Sequence, residues 1–243
     1  MFVGLGTVIN LLTIILGCAI GIALGGRLPK KSQKMITDVL GLITILGATS
    51  ALLPLWSKEF RDSLPNGSPL LLVLASMLLG GLIGTALRIE QRVESFGEKL
   101  RKRFKASSDS PFVEGFVSAS LLFVIGPLAI LGSVSDGMSQ GLDQLILKSS
   151  LDFFAAMAFA STLGIGVMAS IIPVGIYQGF WTVIGFFAGS VLEQYQIDAM
   201  TICGGLMLVG IGLRLLNIKK MSVANLLPAL VIAPLLATFL HSI

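Results

Sequence analysis

The sequence predicts an all-α fold, a polytopic bundle of about eight transmembrane helices. Three observations predict it. The 243 residues are 54% hydrophobic and only 12% charged, about half the charged fraction of a soluble domain. Mean hydropathy is +0.92. Almost the whole chain divides into apolar stretches near the roughly 20 residues that a spanning helix needs. Helices are the default because lipid requires each segment to satisfy its own backbone. The alternating pattern of a membrane barrel is absent.

The spans read as 2–24, 36–56, 70–87, 110–131, 149–172, 174–192, 198–216 and 223–241. They leave no room for a separate soluble domain, so residues 1–243 read as a single integral membrane domain. The first span lacks a basic leading region and a small-x-small cleavage site, so it is expected to stay in the mature protein. Cys18 and Cys203 fall inside spans and read as free thiols. The fifth and sixth spans are separated at Pro173. This split keeps the basic turn at Lys219 and Lys220 on the same side as the other basic loops.

Orientation follows from the basic residues. The odd-numbered loops carry 14 Lys and Arg, among them Arg27, Lys30, Lys31 and Lys34 after the first span. The even-numbered loops carry three: Lys58, Arg61 and Lys148. The positive-inside rule then places the odd loops in the cytoplasm and both termini outside. Net charge is +4, but the basic residues sit between spans, so nucleic-acid binding is not expected.

The third loop, 88–105, repeats Ile89, Val93, Phe96, Leu100 and Phe104 on one helical face, flanked by basic residues. A basic amphipathic helix at a cytoplasmic membrane face is expected to lie in anionic headgroups. A solvated extension of the third span and a dimer-packing face are the alternatives. Ala106–Ser110 reads as a small polar hinge, and Pro111 opens the fourth span.

A Gly-x3-Gly-x2-Leu pattern ends three spans, at Gly17 and Gly21, Gly80 and Gly84, and Gly185 and Gly189. Each copy precedes a charged turn and a span with two small residues six apart. These are candidate two-helix repeats over spans 1–2, 3–4 and 6–7, the third inverted, as in some transporters. At minimum, such glycines allow two helix backbones to approach closely.

Ionisable residues within spans are candidate functional groups by default. Asp152 lies near the outer end of the fifth span and Glu114 near the cytoplasmic end of the fourth. Either can also act as a first-turn acid that complements a helix dipole. Arg214, near a span end, is expected to snorkel to the interface. In the fifth span Asp152 is followed by Ser161, Thr162, Gly164 and Gly166. In the fourth, Gly126-Pro127 should free carbonyls one turn back. Paired interrupted helices point to a substrate or ion site, so Asp152, Ser161, Thr162, Glu114, Gly126 and Gly164 form the expected site between spans four and five. Asn10 and Gln178 read as hydrogen bonds across helices. Asp136 and Asp143 read as part of a solvated outer loop, residues 132–148. The only histidine is His241, so histidine-based metal sites and catalytic triads are not expected. No nucleophile elbow or P-loop occurs, and no cofactor or metal is expected.

Three stretches, taken in order, carry a resemblance. They are Gly4-Leu5-Gly6-Thr7-Val8-Ile9-Asn10, then Gly126-Pro127-Leu128-Ala129-Ile130-Leu131-Gly132-Ser133 with Asp136-Gly137, and then Asp152, Ala160-Ser161-Thr162-Leu163-Gly164-Ile165-Gly166-Val167 and Tyr177-Gln178-Gly179. Together they resemble the YqgA/YdfK-like family of bacterial inner-membrane proteins, a domain-of-unknown-function family (number 554), over essentially the whole chain. The sequence departs from the family pattern at Phe153, where glycine is usual after the aspartate. The resemblance implies a bacterial inner-membrane location and supplies no activity or substrate. The residues themselves favour a transporter or channel for a small solute or ion, with Asp152 as a proton or cation carrier. A membrane scaffold or regulator working through 88–105, and an intramembrane lipid-modifying enzyme, are the alternatives. Expected partners are anionic lipid headgroups, a small solute or ion, and a second copy of the chain.

Overall fold

The computed structural model describes residues 2–26, 28–65, 67–189 and 192–242, so Arg27 and the end of the third glycine motif, Ser190-Val191, lie outside the described residues. The chain is helical, with no strand among the described residues. In order, the helices are α1 Leu5–Gly25, α2 Lys30–Leu52, α3 Lys58–Asp62, α4 Ser68–Ala86, α5 Ile89–Arg103, α6 Phe112–Val124, α7 Pro127–Gly137, α8 Asp143–Leu163, α9 Ile171–Ala188, α10 Gln194–Leu215 and α11 Ala229–His241. Among the described residues, seven helices are long and apolar enough to cross a membrane; the α6–α7 pair, bent by 62°, makes an eighth if it is one span. The spans follow the sequence reading closely in number and order.

Two boundaries move. The fifth span was expected at 149–172, but α8 starts at Asp143 and ends at Leu163. It stops because Gly164 takes φ 69°, a conformation that side chains resist. Two 3-10 turns, Gly164–Gly166 and Met168–Ser170, then lead into α9, so the break lies several residues before Pro173. The outer loop expected at 132–148 is mostly helix, because α7 runs to Gly137.

The chain folds as two compact units. The first comprises 1–40, 94–124 and 128–191. Its spine is α1 against α8. A Cβ at Gly17, Gly21 or Gly25 would land on the carbonyl oxygen of Phe153, Met157 or Ser161 respectively. Both series rise by four residues, so the two helices run parallel with their backbones in contact, the close approach that glycine permits. Phe153, the residue after Asp152, presents its carbonyl to Gly17 on the opposing helix. In the same unit α7 and α9 run antiparallel, with Gly137 against the Thr182 carbonyl and Gly185 against that of Val134. The α5 stripe packs on α6: Phe96 meets Phe116 at 5.8 Å and Phe104 meets Phe112 at 5.9 Å between ring centroids.

The second unit comprises 41–93, 125–127 and 192–243. α10 is its most enclosed helix, with 72% of its apolar window buried. It packs antiparallel to α2, with Gly212 beside Ile45 and Gly205 beside Leu52. α4 packs against the start of α11, with Gly80 on Ala229 and Gly84 on the Asn225 carbonyl. Arg214, expected to snorkel, has a protein partner at its span end. Its Nη1 lies 3.0 Å from Oε1 of the buried Glu90, whose Oε2 accepts the Ala224 N–H at 2.8 Å. The carboxylate holds it because both groups sit in a medium that rewards pairing.

The three glycine motifs are used differently. The first seats on a parallel helix and the second on an antiparallel one. In the third, only Gly185 is a close approach; Gly189 ends α9 at φ 70°, with only the Met138 methyl near its Cβ direction. Cys18 and Cys203 are free and buried.

Candidate functional site

The earlier start of α8 brings Lys148 into the helix, one turn before Asp152. That i, i+4 spacing places both side chains on one face. Lys148 Nζ and Asp152 Oδ2 are 2.5 Å apart, with side chains only 8% and 10% exposed. The sequence reading had Lys148 in a loop; its place in α8 and the ion pair correct that. From α1, Asn10 Nδ2 donates to the same Oδ2 at 3.0 Å. Asn10 is fully buried, and its Oδ1 has no partner.

Neighbouring groups extend this polar layer. On α9, Thr182 Oγ1 lies 3.5 Å from Thr7 Oγ1, and Gly175 faces Leu11. Gln178 lies between these two contacts, which brings it alongside the 7–11 segment of α1. It is fully buried, and neither amide atom has a partner. Ser149 Oγ, beside Lys148, is also buried without one. Buried polar atoms are normally paired with protein or water. These open positions set the layer apart from the apolar packing around it.

Asp136 is the second correction. It is buried on α7, and its carboxylate accepts the N–H groups of Gly4 at 3.3 Å and Gly6 at 3.0 Å. These are free donors at the start of α1, and a carboxylate there also complements the helix dipole. The solvated-loop reading fails because α7 continues through this residue.

The other expected site residues do not join Asp152. Ser161 lies two and a half turns further along α8, about 13 Å at 1.5 Å per residue. Its hydroxyl donates to the Ala158 carbonyl, and that of Thr162 to Phe159. Gly164 is the α8 terminus. Glu114 is a half-buried first-turn acid of α6. Gly126 marks the α6–α7 break at φ 145° and groups with the second unit. No cluster of three or more metal-ligating side chains occurs among the described residues.

The site is assembled from Asn10 on α1, Lys148 and Asp152 on α8, and Gln178 on α9. The sequence signalled Lys148 only through its spacing from Asp152. Asn10 and Gln178 were visible as amides in apolar spans, without any sign that they shared a level.

A family model described as "Protein of unknown function (DUF554)" matches residues 5–238. The chain is 29% identical over 237 residues to "Uncharacterized membrane protein YdfK" of Bacillus subtilis (strain 168), covering 98% of this chain and 97% of that protein. It is 34% identical over 236 residues to "Uncharacterized protein YqgA" of Escherichia coli (strain K12), covering 94% of each. No solved structure matches.

Proposed function

The chain belongs to the DUF554 family of membrane proteins, and from its interior we propose a transporter or channel that moves a small solute or ion across the bacterial inner membrane. The observation that carries this is the buried Lys148–Asp152 pair, with Asn10 attached and open amide positions beside it. Desolvation costs several kcal/mol per ion, and replacing such a pair by apolar residues is often neutral or stabilising. Packing alone therefore gives no reason to keep it. An intramembrane charge pair that can exchange partners gives a transporter a two-state element, in which a passing solute takes the place of one partner. Asp152 is the exchangeable carboxylate, Lys148 its resting counter-ion and Asn10 the group that orients it.

The parallel run of α1 and α8 supports eight crossings. An odd number of crossings must separate two parallel spans. α2 and α4 supply two, and the bent α6–α7 pair supplies the third. Eight crossings put both termini on one side. With Lys148 inside α8, the even loops keep only Lys58 and Arg61, which strengthens the placement of the termini outside. On the cytoplasmic face the outward side of α5, with Arg92, Lys99, Lys102 and Arg103 exposed, would meet anionic headgroups.

The test is flux in proteoliposomes, screened over protons, alkali cations and small polar solutes, for wild type and Asp152→Asn. Asn preserves shape and hydrogen bonding. Transport present in wild type and lost in a normally folded Asp152→Asn supports the reading. Full flux in the variant would move the site elsewhere.

A further inference from the structure

We infer that the N-terminal end of α1 is the mouth of an access route for a small monovalent cation, running past Asp136 to Asp152. This rests on the transport reading and adds the ion class and the side of approach. A cavity of about 160 Å³ lies at that end, lined by Phe2, Asp136, Ser139, Gly141 and Leu142. Polar groups then follow α1 in sequence. Asp136 holds the Gly4 and Gly6 N–H groups, Thr7 meets Thr182, and Asn10 holds Asp152. From residue 4 to residue 10 the helix rises about 9 Å, so these groups form a short file from the cavity to the ion pair. Beyond Asn10 the file stops, because Ile14, Gly17, Cys18 and Gly21 are buried and the two glycines lie against the α8 backbone.

Two further features point to a ligand. Along the file Ser149 Oγ, Asn10 Oδ1 and both amide atoms of Gln178 are buried without partners. Such atoms call for water or a bound species. The charge also has a sign. Asp136 and Asp152 against Lys148 leave one net negative charge, and the α1 N-terminus offsets about half of it. α1 and α9 add no charged side chain to this stretch, and Asp143 at the start of α8 is exposed. A narrow low-dielectric passage of net negative charge concentrates cations and excludes anions.

Silver ion, a small monovalent cation that reacts with thiols, tests the route without knowledge of the substrate. Full-length protein with Cys18→Ala and Cys203→Ala carries one new cysteine at a time in right-side-out vesicles. Residual thiol is counted with a maleimide after unfolding. Thr7→Cys and Ser149→Cys should react about tenfold or more faster than Val8→Cys, because Val8 is 42% exposed on the outside of the bundle. Asp136→Asn, which still caps α1, should slow them by a similar factor. Thr182→Cys substitutes if Thr7→Cys does not fold. Rates no faster than at Val8→Cys, or rates indifferent to Asp136→Asn, refute the route. Flux that depends on Asp152 alongside unreactive file positions would leave the transport reading standing and this one overturned.

Discussion

Removing Lys148 should cost more than removing Asp152, and removing both should cost less than the sum. At 2.5 Å the Coulomb attraction is about 6–7 kcal/mol with an effective dielectric of about 20. Desolvation returns several kcal/mol per ion, so the net coupling should be a few kcal/mol. Lys148→Met leaves a short carboxylate buried with only Asn10, and breaking a buried pair costs about 3–5 kcal/mol. The surviving Asn10 bond puts this variant near about 3 kcal/mol. Asp152→Leu leaves a long lysine less than two turns from the start of α8, where it can swing toward the interface, so the loss should be nearer about 1–2 kcal/mol. The double variant Lys148→Met/Asp152→Leu should lie within about 1–2 kcal/mol of wild type, since apolar replacement of a buried pair is often neutral. Equilibrium unfolding in bicelles gives all four corners of the cycle. A coupling of about 2–3 kcal/mol is expected, and one below about 0.5 kcal/mol would mean that the two charges are hydrated and the layer is not closed. A stable double variant without flux would separate the functional role of the pair from its structural one.

Three more outcomes follow from the same geometry. Gly21→Ala and Gly84→Ala should each lower the melting temperature in detergent clearly, because even one methyl group meets a backbone carbonyl; Gly47→Ala, with open space around it, should be neutral or stabilising by up to about 1 kcal/mol. Equal tolerance at all three would show that the α1–α8 and α4–α11 contacts are loose. Single cysteines at Ser107 and Ser139, both exposed, should label from the cytoplasmic side and the outer side respectively; labelling from one shared side would overturn the eight-span orientation. Anionic lipid should stabilise wild type against unfolding more than Lys99→Gln/Lys102→Gln/Arg103→Gln, by about 1 kcal/mol per basic residue at low salt; an unchanged lipid response would remove α5 from the headgroup layer.

Hydropathy and length alone determined that the chain is helical, membrane-spanning and divided into these spans. Inside lipid every backbone group must be satisfied within its own segment, so helix formation is settled locally. Gly17, Gly21, Gly80 and Gly84 were likewise legible as close-approach points, because spacing on a helix is a local property. Their partners were not legible, and neither was the different use of Gly189, whose role depends on where α9 stops. Asp152 stood out as a charge in an apolar run. Lys148 escaped because the apolar window begins after it, while the helix begins earlier. Only the packing of α1, α7, α8 and α9 decided that Asn10, Asp136 and Gln178 flank one polar file, and that Ser161 and Thr162 do not. A helix in lipid shows its apolar side chains to solvent and neighbours alike, so its sequence does not mark which face turns inward. That choice is made by which backbones can approach, and so only when the helices meet.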